Sequence, residues 1–317
     1  MRSASLVAPG RIEIKRVCTP QPGPGEVSIR LEGCGVCGSN LAPWEGRPWF
    51  TYPFEPGAPG HEGWGVVERL GEGVDTVKIG TRVAFIGSRS FAEFEVVPEK
   101  SVVSLPEELA RKPFPGEALG CAFNVIKRCD IKPGQRVAVV GVGFLGAVLC
   151  ALCAQKGASV IAISRRGFAL ELAKYYGAAD TLPFEDKELL VQKVMERTAG
   201  RGCERVIEAV GNQEALDLAT EITQERGRLI IAGYHQDGMR QVNMQLWNWR
   251  GLDVINAHER DPRIYVQGIR DAAAAVATGQ LDTDPLFTHT YPLEEIGRAF
   301  EAMQKRPAGF LKALVTL

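Results

Sequence analysis

The sequence predicts an α/β protein with two parts, a partly closed antiparallel β unit and a doubly wound parallel sheet. Three observations support this fold class. The chain has 317 residues, enough for about two domains. Up to about residue 116 it shows short strand patterns between turns. After about residue 117, apolar strands alternate with helical stretches.

Half-buried strands are predicted in the first part, where apolar and polar residues alternate with a period of two. These strands are 27–31, 65–70 and 81–85. Clusters of Gly and Pro between them predict turns, at 20–25, 71–73 and 78–80. Short strands with frequent turns indicate a partly closed antiparallel sheet.

Continuous apolar strands mark the second part, at 136–140, 159–163, 205–210, 227–232 and 252–256. Helices are predicted between them, at 147–156, 168–176, 187–198 and 213–223. This alternation is typical of βαβ units with a sheet covered on both faces. The remaining chain predicts two helices, 270–279 and 293–304, and a strand, 312–317. A single terminal strand cannot stand alone, so we expect it to return to the first part.

Composition and charge exclude several classes of function. Lys+Arg total 37 against 38 for Asp+Glu, which argues against a nucleic-acid partner. No run of 18 apolar residues predicts a membrane span, and residues 1–15 do not resemble a secretory signal. Eight cysteines are too few for a disulfide scaffold in a chain of this length. We therefore expect a cytoplasmic protein without membrane contact.

A glycine motif points to a dinucleotide. Gly141, Gly143 and Gly146 form G-x-G-x-x-G directly after a predicted strand and at the start of a predicted helix. In that context the first glycine makes the tight turn, the second admits the pyrophosphate, and the third lets the helix pack on the strand. The phosphates would meet free N–H groups at the helix N-terminus.

The next strand bears on the choice between NAD(H) and NADP(H). NAD-binding chains carry an acidic residue about 20 residues past the glycines, where it binds the ribose 2′-hydroxyl. Here the strand ends at Ile163 and is followed by Ser164, Arg165 and Arg166, with no carboxylate. Guanidinium groups suit a 2′-phosphate, so we expect NADP(H) to be preferred over NAD(H). The arginines could also be a solvated helix start.

Cys37 and His61 are candidate metal ligands. Cys37 follows the strand 27–31, and both residues lie in predicted turns, where ligands are commonly placed. A catalytic zinc uses three protein ligands of the Cys, His and carboxylate types and keeps one position open.

These segments resemble the zinc-containing alcohol dehydrogenase family of the medium-chain dehydrogenase/reductase superfamily, and most of all its polyol (sorbitol-like) branch. The similar residues are Gly60-His61-Glu62 with Gly65, Gly71 and Val74; Gly35-Val-Cys37-Gly-Ser39; Pro133-Gly134 before the glycine motif; and Tyr291 to Phe300 with Lys312. The resemblance spans nearly the whole chain. It implies a GroES-like catalytic domain, 1–118 and 262–317, and a Rossmann domain, 119–261.

The resemblance also implies the site residues. Cys37 and His61 would bind one catalytic zinc. Glu62 would be a further zinc ligand, or a carboxylate that alternates between binding the zinc directly and lying just behind its ligands. Glu117 would be the remaining ligand, with Cys121 as the competing candidate. The cofactor would also contact Phe144, Leu145, Ala209, Gly233 and Lys312.

Two departures from the family matter. The residue after Ser39 is usually Asp and here is Asn40, which can orient a zinc-binding histidine but brings no charge. The four closely spaced cysteines that bind a structural zinc in many members would follow the strand near 83–86. Here the segment 87–93 contains no cysteine. We therefore expect one zinc rather than two.

The implied chemistry is hydride transfer between NADP(H) and a secondary alcohol or ketone, of a polyol, sugar or cyclitol. Zinc would lower the pKa of the alcohol oxygen, and Ser39 would carry the proton away. Alternatives are an NADPH-dependent reductase of aldehydes or aromatic carbonyls, and a non-catalytic NADP-binding protein. We expect a homodimer or homotetramer, with contact at the sheet edge near 252–256.

Overall fold

The structure, a computed structural model, describes residues 1–317. The chain divides into two compact units. The first unit is 1–121 together with 260–317, and the second unit is 122–259. The expected domain boundaries, 118/119 and 261/262, differ from these divisions by a few residues and stay a prediction.

Strands and helices follow one another along the whole chain. The strands are β1 (Arg2–Ala8), β2 (Arg11–Arg16), β3 (Glu26–Val36), β4 (Glu62–Leu70), β5 (Arg82–Phe85), β6 (Phe94–Pro98), β7 (Val102–Ser104), β8 (Arg136–Val140), β9 (Ser159–Ser164), β10 (Asp180–Pro183), β11 (Cys203–Glu208), β12 (Thr223–Ile231), β13 (Asp253–Asn256), β14 (His289–Pro292) and β15 (Ala313–Thr316). The helices are α1 (Leu41–Trp44), α2 (Gly116–Cys129), α3 (Phe144–Gln155), α4 (Gly167–Tyr175), α5 (Lys187–Arg197), α6 (Gln213–Ile222), α7 (Met244–Arg250), α8 (Pro262–Ala277) and α9 (Ile296–Lys305).

The first unit is built on a seven-stranded sheet in the order β14-β15-β3-β4-β5-β7, with β6 also paired to β3. β3 is the longest strand, and its Val27, Ile29 and Leu31 face a core they share with Val67 and Val83. β15 pairs antiparallel with β3, which confirms that the terminal strand returns to the first part of the chain. β1 and β2 form a separate hairpin.

The second unit is a parallel six-stranded sheet in the order β10-β9-β8-β11-β12-β13. The strand order reverses beside β8, and in such sheets ligands bind at the carboxyl ends of the strands at that reversal. The central strands β8 and β9 are buried along nearly their whole length, and α3 is apolar nearly all round. Its Cys150 and Cys153 are fully buried core residues.

Some elements escape the sequence patterns. α8 begins at Pro262 rather than at 270, because Asp261 accepts the N–H of Arg263 and a proline suits the first helical turn. α2 was not predicted at all, although it carries Glu117. None of the helices combines the length and the apolar character that crossing a membrane requires.

Candidate metal and cofactor sites

Cys37, His61 and Glu62 come together in the first unit. One ligand atom from each of them lies within 4.8 Å of those of the other two. Cys37 directly follows β3 and Glu62 begins β4, and the antiparallel register sets Gly35 opposite Glu62. The pairing of these two strands therefore brings the two predicted ligand segments to the same end of the sheet.

The imidazole of His61 has a fixed orientation. Its Nδ1 lies 2.9 Å from the carbonyl oxygen of Pro59, which can only accept, so Nδ1 carries the proton. Nε2 lies 3.5 Å from the hydroxyl oxygen of Ser39 and is the nitrogen available to a metal. A backbone carbonyl here fills the orienting role that a carboxylate fills in many metal sites.

Asn40 joins the two ligand segments instead of contacting the histidine itself. Its Oδ1 accepts the backbone N–H of Cys37 at 2.9 Å, and its Nδ2 donates to the Pro59 carbonyl at 3.1 Å. The same carbonyl accepts from His61. The side chain is buried, so each of these hydrogen bonds is made away from water.

Glu62 is paired with Lys312, a contact that spans most of the chain. The ammonium nitrogen lies 2.5 Å from the carboxylate, and the two side chains are 3% and 1% exposed. A Cβ at Gly35 would lie 1.9 Å from a Glu62 oxygen, so the carboxylate fits only against glycine. Lys312 was predicted to bind the cofactor. The structure places it against Glu62 in the first unit, where its expected role in cofactor binding stays untested.

Glu117 and Cys121 lie one helical turn apart on α2. Cys121 donates to the Glu117 carboxylate at 3.2 Å, and neither residue belongs to the group of ligand atoms within 4.8 Å. Burial raises the pKa of Glu117, and it raises the pKa of Cys121 far above the usual range with help from the neighbouring carboxylate. Because the thiol of Cys121 donates its hydrogen to the carboxylate, Glu117 is the acceptor of this pair, which favours Glu117 of the two as the further ligand.

The electrostatics of this cluster favour a cation. Burial by itself would lower the pKa of His61, but the hydrogen bond and charge of Cys37, together with Glu117 and Glu62, raise it to about 10. Burial by itself would also lower the pKa of Lys312, but nearby negative charges, above all that of Glu62, raise it overall. A thiol, an imidazole and carboxylates are the donors that zinc prefers. The residues therefore fit a zinc ion.

The segment where a four-cysteine lobe would lie is organised by a carboxylate. Glu95 of β6 is buried and accepts the N–H groups of Ser88 and Arg89, at 2.8 and 2.9 Å, and the hydroxyl of Ser90, at 2.5 Å. These contacts hold a short loop in place of a metal-bound lobe. The expectation of a single zinc stays a prediction.

The glycine motif of the second unit has the geometry that the sequence predicts. Gly141 follows β8 with φ of 99°, and a Cβ at Gly146 would lie 1.9 Å from the Gly141 carbonyl. A Cβ at Gly143 would meet no protein atom within 4 Å. The open space at Gly143 is where a pyrophosphate would approach the N-terminus of α3, at Phe144 and Leu145.

Ser164, Arg165 and Arg166 lie at the carboxyl end of β9. The guanidinium of Arg166 donates to the Val142 carbonyl at 3.0 Å, so it lies over the glycine motif. Arg165 forms an exposed ion pair with Glu214 and stacks over the ring of Phe184 at 5.2 Å. The cluster thus holds one guanidinium against the motif and a second at the surface.

β11 ends in a buried carboxylate, that of Glu208, which the sequence reasoning missed. Glu208 accepts the N–H groups of Val210 and Gly211, both at 2.7 Å, and His235 lies 3.0 Å from its second oxygen. The backbone carbonyl of Glu208 accepts the N–H of Gly233 at 2.7 Å. This network fixes the turns that carry Ala209 and Gly233, both expected to bind the cofactor. The signal in the sequence is an acidic residue within the mostly apolar pattern of the predicted strand 205–210.

Comparisons with known proteins agree with this architecture. The alcohol dehydrogenase GroES-like domain family matches residues 23–107, and the zinc-binding dehydrogenase family matches residues 145–270. An L-threonine 3-dehydrogenase from Pyrococcus abyssi is 27% identical over 94% of this chain and 93% of its own. A sorbitol dehydrogenase from Halalkalibacterium halodurans is 26% identical, over 97% and 96%. The solved structure of an alcohol dehydrogenase from Thermus sp. ATN1 has a TM-score of 0.85 and 25% identity, over 100% and 99%.

Proposed function

The chain belongs to the zinc-containing alcohol dehydrogenase family of the medium-chain dehydrogenases, and we propose that it transfers hydride between NADP(H) and a secondary alcohol or ketone. The proposed substrates are polyols, sugars or cyclitols. The observation that carries the proposal is the group formed by Cys37, His61 and Glu62, of which Glu62 is buried and the other two are partly buried. Members of the family are oxidoreductases that use zinc and a nicotinamide cofactor.

The residues around this group suit proton removal from an alcohol. A zinc ion held there supplies Lewis acidity that makes an alcohol oxygen more acidic. Ser39 lies beside His61 and can accept a hydrogen bond from the substrate hydroxyl, which would place it to carry the substrate proton to solvent water. Glu117 is the proposed further ligand, because Cys121 is held as a thiol that donates to it.

The preference for NADP(H) is supported by charge and by the missing acid. Arg166 already lies over the glycine motif, and Arg165 is 61% exposed and free to leave the exposed Glu214 carboxylate for a phosphate. No aspartate or glutamate stands at Ser164, Arg165 or Arg166 to bind a 2′-hydroxyl. The exposed ion pair to Glu214 costs little to break.

Cofactor kinetics and a substrate panel test the proposal. We expect kcat/KM for NADP+ to exceed that for NAD+, and Arg166→Gln to reduce the NADP+ value at least tenfold while changing the NAD+ value by less than threefold. Turnover of aromatic aldehydes in place of aliphatic secondary alcohols would instead favour the carbonyl reductase. Zinc and NADPH bound without turnover of any alcohol would favour a non-catalytic protein.

Assembly and location complete the proposal. β13 is the last strand of the second unit's sheet, so its outer edge has no partner strand within the chain. Edges of this kind readily pair with a second copy. We propose a homodimer or homotetramer in the cytoplasm, which sedimentation and cell fractionation would test.

A further inference from the structure

A cavity of about 430 Å³ opens beside the metal cluster in the first unit. Its wall includes the predicted ligand His61 together with Phe54, Pro59, Ser88, Glu55 and Arg89. This volume is in the range of small-molecule sites. An aromatic ring, a hydroxyl group and two opposite charges therefore line the same cavity as a predicted metal ligand.

Glu55 and Arg89 form an ion pair in the wall of this cavity, with Nη2 and Oε2 2.5 Å apart. The two side chains are 66% and 58% exposed. Ion pairs this exposed contribute little to folding stability. The stability of the fold therefore does not explain why the pair is placed here.

The backbones that carry the pair are fixed. On one side Glu95 accepts the N–H of Arg89, and on the other the N–H of Gly57 donates to Ala4 of β1 at 2.7 Å. The two loops also meet directly, because Phe91 donates to the Gly57 carbonyl at 3.1 Å. A Cβ at Gly57 would lie 2.1 Å from the Arg89 carbonyl, so the close approach requires glycine. The backbone positions that carry the two charged side chains are thus held in place before any ligand arrives.

The charges indicate what such a cavity would bind. A carboxylate accepts hydrogen bonds from hydroxyl groups, and a guanidinium donates hydrogen bonds to hydroxyl oxygens. The pair can therefore bind neighbouring hydroxyl groups while its ion pair stays intact. A zwitterion would have to separate the two charges, and an anion would meet the Glu55 carboxylate. A neutral ligand with adjacent hydroxyl groups therefore fits best.

We propose that Glu55 and Arg89 determine specificity, by binding the hydroxyl groups of a neutral polyol whose neighbouring carbinol lies at the metal cluster. This inference rests on the proposed function and narrows its substrate class. It assigns the pair to substrate binding and gives it no part in the hydride transfer itself.

The test compares xylitol with 2-pentanol, which shares its five-carbon chain but has one hydroxyl group. We expect the zinc-loaded enzyme to prefer xylitol at least tenfold in kcat/KM. Glu55→Ala and Arg89→Ala should each lower the xylitol value by about 10- to 100-fold, the range for a lost hydrogen bond to a charged group. The 2-pentanol value should stay within twofold. Arg11→Ala, which breaks an exposed ion pair outside the cavity, is the matched control.

Calorimetric titration of xylitol into the same variants measures binding apart from turnover. Weaker xylitol binding in both variants, with unchanged thermal stability, would support the inference. Equal losses for the two alcohols, no loss for either, or a preference for L-threonine that depends on the pair would overturn it. Failure to oxidise 2-pentanol and xylitol alike, with xylitol binding still dependent on the pair, would contradict the proposed function and leave the specificity site standing.

Discussion

The two candidate sites of this chain are built in opposite ways. The metal cluster consists of side chains from segments far apart in sequence, Cys37, His61 and Glu62 with Lys312 behind them. The dinucleotide site consists of backbone from one short run, 141–146, where missing side chains create the space. The first depends on tertiary contacts between charges, and the second depends on local geometry. The two sites should therefore fail differently when mutated.

The largest effect should come from removing a metal-binding side chain. His61→Ala takes away the imidazole whose Nε2 is available to a metal. We expect zinc to fall from about one per chain to near zero, and alcohol oxidation to fall by at least about 10³-fold, because the metal's charge stabilisation is lost. Elemental analysis and steady-state rates measure the two effects. His289→Ala is the matched control, and an equal loss of zinc there would contradict the assignment.

The buried ion pair gives the next largest effect, on stability. Lys312→Met leaves the Glu62 carboxylate buried without its cation. We expect a loss of about 3–5 kcal/mol in the free energy of unfolding, measured by urea denaturation. Lys305→Met removes an exposed lysine paired on the surface of α9 and should cost under about 1 kcal/mol. Similar losses for both variants would show that the buried pair has no special role.

Asn40→Asp probes the link between the two ligand segments. The amide donates to the Pro59 carbonyl, and a carboxylate there would set two acceptors against each other. We expect zinc affinity to fall by about 10- to 100-fold, as for other groups that orient metal ligands. Competition with a chelator measures the affinity. Unchanged or tighter zinc binding would indicate that Asn40 simply replaces a charged residue.

The smallest effect separates two glycines of the dinucleotide site. Gly143→Ala adds a methyl group that meets no protein atom within 4 Å, so the fold should keep its stability while NADPH binding weakens about tenfold. Gly146→Ala sets a Cβ against the Gly141 carbonyl and should lower the stability itself. Fluorescence titration and thermal melting distinguish the two. Equal effects of both variants on stability would contradict the assignment of the open space at Gly143 to the dinucleotide.

The same contrast explains what the sequence could predict. The strand, turn and helix around Gly141 are adjacent in the chain, so their pattern specifies their geometry. The metal-ligand segments around Cys37 and His61 could also be identified, because they resemble the ligand motifs of a known family. The position of β15 followed from the need of a lone terminal strand for a partner.

Contacts that depend on tertiary register could not be predicted. Nothing local at Lys312 indicates that it pairs with Glu62, since that contact requires β15 beside β3 and β3 beside β4. The role of Asn40 depends on where the Pro59 carbonyl points. The pair formed by Glu55 and Arg89 requires two loops to be brought together by the backbone of Gly57. In each case the residue type is visible in the sequence, but its contact partner is determined by the tertiary fold.

The zinc content of the wild-type protein, purified without chelator, decides whether this chain holds a catalytic metal. We expect about one zinc per chain by elemental analysis, lost together with activity when Cys37→Ala is introduced. Protein that binds NADPH and oxidises alcohols without any zinc would contradict this expectation, as would two zinc ions per chain.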